Sequence, residues 1–105
     1  MKSYVGKKTC AGPNDIYVIN DSVKTLLDPK PSQLLYNHSP DGFNWGFPGS
    51  GPSQAALGIL LDLLGRTPSL AYYQAFKFDK VSKWGNSFCI SEGEIKAWLK
   101  QTQGS

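Results

Sequence analysis

The sequence predicts an α+β domain: a small antiparallel sheet, made of an N-terminal hairpin plus one or two short strands, packed by about three helices. Three observations carry that reading. Turn-forming residues separate β-branched and aromatic runs in the first part of the chain, an apolar stripe with helical spacing fills the middle, and a Ser-x-x-Glu box opens an amphipathic segment near the end. A chain of 105 residues has room for a single core, so residues 1–105 are expected to form one domain.

The strands come first. Tyr4 to Cys10 mixes Val, Tyr and Thr with Gly and Lys and reads as a strand, and the following Ala11-Gly12-Pro13-Asn14-Asp15 is dense in turn formers. Ile16-Tyr17-Val18-Ile19 is a second strand, closed by Asn20-Asp21-Ser22, residue types that tolerate the positive φ of a tight hairpin. Val23 to Leu27 can add a short third strand. Pro29 and Pro31 cannot continue a ladder and mark a connection, after which Leu34-Leu35-Tyr36 can pair at an edge. From Asn37 to Gly51 breakers alternate with large aromatics and no aliphatic residue occurs, which predicts a long loop ordered by Phe43, Trp45 and Phe47.

Helices dominate the remainder. Gly51 is the expected N-cap of a helix opened by Pro52, with Gln54 where a capping-box partner stands. Ala55, Ala56, Ile59, Leu60, Leu63 and Leu64 keep the i, i+3, i+4 rhythm, Leu57 and Leu61 widen the stripe, and Gly65 stops it. This helix is the expected centre of the core. Pro68 can begin another, with Tyr72, Tyr73, Phe76, Lys80, Val81 and Trp84 roughly on one face, although the segment around Tyr73 to Phe78 also admits a strand reading. Gly85-Asn86 turns the chain, Phe88-Cys89-Ile90 is a short strand, and Ser91 caps a last helix whose buried face is Ile95, Trp98 and Leu99. Residues 101–105 are polar and expected as a frayed tail.

Composition excludes several classes of function. No apolar run approaches the ~20 residues that span a bilayer, and the opening segment lacks the apolar centre of a signal peptide, which together predict a cytoplasmic protein with no membrane partner. The net charge is +3, and only Arg66 among the 11 basic residues offers a bidentate fork, so strong binding to duplex nucleic acid is not expected. Cys10 and Cys89 are too few for a disulfide framework, have no metal-like spacing, and are expected to be small buried hydrophobes.

The segment from Ser39 to Gln54, an opening Tyr4-Val5-Gly6-Lys7, the run Tyr73-Gln74-Ala75-Phe76-Lys77 and the closing Ile95-Lys96-Ala97-Trp98-Leu99 together resemble an uncharacterised domain-of-unknown-function family, number 6166. The most specific part is the junction in which Trp45, Gly46, Gly49, Ser50, Gly51, Pro52 and Gln54 match, while Pro48 stands where a small residue is expected. That resemblance brings no activity with it. It implies a small accessory protein of the kind found in bacterial, archaeal, phage or plasmid genomes, and hence a phage or mobile-element setting.

The turn Gly49-Ser50-Gly51-Pro52 is the strongest candidate for ligand binding, because free backbone N–H groups and the positive end of a helix favour an anion. It is no P-loop, since no Lys follows Gly51. Trp45, Gly49, Ser50, Gly51 and Gln54, with His38, Gln74 and Lys77, form the expected ligand-binding set; a plain N-cap packed by Trp45 and Phe47 is the competing reading. No catalytic residue, metal ligand or cofactor is assigned. Ser50, His38 and Asp41 or Asp79 can be drawn as a triad, yet the G-x-S-x-G elbow is missing, and His38 is expected to hydrogen-bond the loop instead. Lys77, Lys80 and Lys83 read as a solvated helix face, and so does Asp62, which interrupts the apolar helix. The expected function is therefore non-enzymatic binding of a small anionic, nucleotide-like ligand. The alternative is a protein-binding module, such as an inhibitor of a host defence enzyme, anchored by Phe43, Trp45 and Phe47. Burial of those rings favours the former and exposure the latter.

Overall fold

Alternating side chains and one tight turn build the sheet. The computed structural model describes residues 1–9 and 14–104. Strand β1 spans Lys2–Lys7, β2 Ile16–Asn20, β3 Val23–Leu26 and β4 Ser87–Ser91, in the spatial order β3-β2-β1-β4 with every pair antiparallel. Asp21 and Ser22 both adopt positive φ, 52° and 71°, the conformation a two-residue hairpin needs to match strand twist. The third strand expected at Val23 is present, whereas β1 begins two residues earlier than the sequence suggested. Cys10 and its neighbours to Pro13 lie outside the described residues.

The helices complete an α+β fold. Helix α1 spans Lys30–Leu35, α2 Ser50–Leu64, α3 Arg66–Asp79 and α4 Glu92–Gln103, with a 3-10 turn at Val81–Lys83. Helix α1 corrects the expectation of a connection followed by an edge strand at Leu34-Leu35-Tyr36. Proline restricts its neighbours but suits the first turn of a helix, and here Pro29 caps the helix while Pro31 sits in that turn. Asp28 Oδ1 accepts the Lys30 amide at 2.9 Å and sets the turn's entry.

Four further boundaries move. Gly49, rather than Gly51, is the N-cap of α2. Gly65 ends α2 at a φ of 86° and caps α3 directly, so that α3 starts at Arg66 and Pro68 falls at its third position, where no N–H is required. The Tyr73 to Phe78 segment is helical, and α3 stops at Asp79 instead of reaching Trp84. At the far end α4 runs through Gln103, so the expected tail begins inside the helix; its Ser91–Glu94 capping box is formed in both directions.

The core lies between one face of the sheet and the helices. Tyr4, Ile16, Val18, Phe88 and Ile90 point inward and meet Ala55, Ala56, Ile59 and Leu60 of α2, Phe76 of α3 and Ile95 and Trp98 of α4. Aromatic rings knit the far side: Trp45 meets Phe88 edge-on at 4.9 Å, Trp84 stacks on Phe88 at 3.9 Å, and Phe76 tilts against Trp98 at 5.1 Å. Glycine permits the closest approach. A Cβ on Gly6 would stand 2.5 Å from Phe88 and 2.7 Å from Trp45, so the inward face of β1 is bare there to admit both rings.

Candidate functional site

The long loop is held to the start of α2 by side-chain amides. Asn14, itself buried, donates through Nδ2 to Asn44 Oδ1 at 3.1 Å, and the same oxygen accepts the Trp45 amide at 2.9 Å. Backbone bonds join Asn14 to the Phe43 carbonyl at 3.1 Å and Asn44 to the Gly51 carbonyl at 3.2 Å. The loop runs so close to the helix that a Cβ on Gly51 would lie 2.5 Å from Asn44 Cβ.

That packing buries Pro52 and Ser53 and leaves Ser50 exposed at the first turn of α2. No side chain caps it and no acidic residue stands in it. The Ser53 amide bonds to the Gly49 carbonyl at 3.1 Å and Pro52 has no N–H, so the Ser50 and Gly51 amides are those at the open end. Ser50 is exposed, and Phe47, 41 % exposed, lies over Gly49. Lys8 approaches from the end of β1, its Nζ 5.5 Å from the centre of the Phe47 ring. A groove of about 270 Å³ beside the helix start is lined by Ser39, Asp41, Asn44, Phe47 and Gly51. The local field therefore combines a positive helix end and the Lys8 ammonium with one opposing carboxylate, Asp41.

The other expected site residues separate from this turn. Trp45 is wholly buried, and its indole Nε1 donates to the Gly85 carbonyl at 3.0 Å, which makes it a core residue that pins the loop. Gln54, also wholly buried, is no capping-box partner. Its Oε1 accepts the His38 and Ser39 amides at 2.8 and 3.0 Å, and its Nε2 donates to Ser32 Oγ at 2.9 Å and to the Tyr36 carbonyl at 3.2 Å. His38 sits above it, stacked on Tyr36 at 4.2 Å between ring centres, with Nε2 2.8 Å from the Tyr73 hydroxyl. Burial first, and the Lys77 ammonium second, hold the His38 imidazole below its ordinary pKa. Gln74 is exposed on α3. The expected set thus divides into Gly49, Ser50 and Gly51 at the helix start, a Gln54–His38 knot with Lys77 beside it, Trp45 in the core, and Gln74 apart on the exposed side of α3.

Chemistry elsewhere is sparse. His38 bonds to Tyr73, and Asp79 accepts the Trp98 indole N–H at 2.8 Å, so neither the imidazole nor that carboxylate is joined to the other in a triad. No group of three or more His, Cys, Asp or Glu side chains is placed to hold a metal among the described residues. Cys89 corrects the expectation of burial, because its register opposite Val5 puts it on the outer face of the sheet. Asp62 is bonded rather than merely solvated: it accepts the Tyr4 hydroxyl at 2.7 Å and pairs with Lys2 Nζ at 3.2 Å. Burial and the Asp62 carboxylate push the Tyr4 phenol pKa well up, so it stays a donor. Lys8, Asn44 and Tyr73 were missed because their roles arise from contacts between distant segments, and nothing in their own neighbourhood marks them.

A sheet backed by helices on one side, with a loop pinned to the start of its central helix, defines this chain as a small α+β domain. Residues 4–101 match the model of DUF6166, a family of unknown function, and the chain belongs to that family. No curated protein and no solved structure matches it significantly. Among the described residues, no helix is long and apolar enough to cross a membrane.

Proposed function

We propose that this chain is a non-enzymatic binding protein that takes a small anionic, nucleotide-like ligand at the first turn of α2. The observation that carries the proposal is the start of a 15-residue helix that no side chain caps: Gly49 at the N-cap has no side chain to bond it, the first turn has no acid, and Ser50 is exposed. Lys8, its Nζ 5.5 Å from the centre of the Phe47 ring, adds a cation nearby. Burial of Phe43 and Trp45 weighs for this reading over a protein interface carried by the loop, since only Phe47 of the three rings remains at the surface. The cytoplasm, and the phage or mobile-element setting that the family resemblance implies, belong to the same proposal.

Thermal denaturation in the presence of phosphate, mononucleotides and cyclic oligonucleotides tests it. A ligand at a hundred times its Kd stabilises the folded state by about 2.7 kcal/mol. Ser50→Asp places a fixed negative charge in the field while remaining favourable to the helix start, so the variant is expected to fold and to lose the ligand-induced shift. Absence of any shift across the panel, or a shift that Ser50→Asp leaves intact, overturns the proposal.

A further inference from the structure

We propose that the outer face of the sheet docks an apolar segment of another protein flanked by acidic residues. All the buried residues of the strands point to the helix side, and the opposite face carries Val5, Tyr17 and Ile19 half-buried with Leu26 and Cys89 exposed. The register draws four of them into one row across every strand: Leu26 opposite Tyr17, Tyr17 opposite Val5, and Val5 opposite Cys89. An antiparallel sheet with one solvated face ordinarily alternates polar residues outward, so an unbroken apolar row there departs from the pattern. At strand spacings of about 4.8 Å the row is about 14 Å long, which matches about nine residues of helix.

Charge selects the partner. None of the four strands contains Asp or Glu, whereas Lys7 and Lys24 border the row on this face. Both lysines are exposed, and neither is ion-paired among the described residues. Lys24 Nζ lies 4.5 Å from the centre of the Tyr17 ring, and a depression of about 250 Å³ opens between Val5, Lys7, Tyr17 and Lys24, with Asp15 as its single carboxylate. A second copy of the chain would bring two basic faces together. Single-stranded nucleic acid needs several aromatic rings for successive bases to stack on, and among the described residues Tyr17 is the one aromatic of this face, with Lys24 already placed over its ring. An amphipathic protein segment with Leu-like side chains and acidic borders satisfies both the apolar row and the lysines.

The test is an NMR titration of the isotope-labelled full chain with three probes: a synthetic amphipathic helical peptide with a leucine face and glutamate borders, its lysine-bordered counterpart, and an oligouridine. The expected result is that the acidic peptide shifts the amides of Val5, Tyr17, Ile19, Leu26 and Cys89. Affinity should fall more than about tenfold in the Lys7→Glu, Lys24→Glu double variant, whose positions are exposed, and should weaken with added salt. The same peptide should slow alkylation of Cys89, followed by peptide mass. The proposal is overturned if the acidic peptide shifts nothing, if the basic peptide binds equally well, or if oligouridine binds the face in its place. Concentration-dependent shifts of these amides in the free chain would assign the face to self-association instead. Shifts confined to residues 49–51 would leave the anion site standing and remove this surface.

Discussion

Gln54 Oε1 accepts the backbone amide of His38 at 2.8 Å, from a side chain with no exposure to solvent. Through the other end of the same amide, Gln54 reaches Ser32 and the Tyr36 carbonyl, so one residue of α2 fixes both the short helix α1 and the entry to the long loop. The local geometry of the candidate site depends on that side chain, although the site lies one helical turn away at Ser50.

Gln54→Ala is expected to destabilise the fold by about 3 kcal/mol, because it strands several donors and acceptors in a buried place at ~1 to 3 kcal/mol for each that finds no water. Gln54→Glu keeps the acceptor but sets a carboxylate against the Tyr36 carbonyl, and should also destabilise at neutral pH. Chemical denaturation reads both; a midpoint unchanged in Gln54→Ala would show that the knot contributes nothing.

Gly6→Ala should be strongly destabilising, since the new methyl group meets the Trp45 and Phe88 rings at 2.7 and 2.5 Å. Trp45→Ala alone should cost ~3 to 5 kcal/mol as a cavity in the core. The two share one space, so the double variant is expected to be less damaged than the sum of the singles. Strict additivity in a double-mutant cycle would contradict the contact.

Leu60→Ala removes a wholly buried side chain from the middle of α2 and should cost ~2 to 5 kcal/mol in urea denaturation. Leu34→Ala, at a position 86 % exposed on α1, serves as the control and should change stability by under about 0.5 kcal/mol.

His38 is the one histidine of the chain, so its ring resonances titrate without overlap. Its folded-state pKa lies below the unfolded value of about 6.5, chiefly through burial and secondarily through Lys77. The unfolded chain therefore takes up the proton first. The stability that His38 contributes is full above about pH 6.5 and is lost as pH falls through the lower folded value. Lys77→Gln should move the measured pKa upward and shrink that loss; an imidazole titrating at or above its ordinary value would refute the assignment.

Local chemistry wrote much of this fold into the sequence. The Asn20-Asp21-Ser22 turn, the Ser91–Glu94 capping box and the apolar stripe of α2 are legible because each depends on residues within about four positions of one another, where periodicity and hydrogen-bonding reach are fixed by the backbone. The family resemblance was legible at the Trp45 to Gln54 junction for the same reason of compact spacing. The tertiary structure decided the rest. Gln54 looks like a cap in sequence and becomes a buried clamp because its partners Ser32, Tyr36 and His38 arrive from 16 to 22 residues away. Asp62 looks like a solvated interruption and becomes the acceptor for Tyr4, 58 residues distant. Cys89 looks buried by composition and is exposed because a half-covered sheet hides alternate residues only, and which set it hides is fixed by strand pairing, which no local signal specifies.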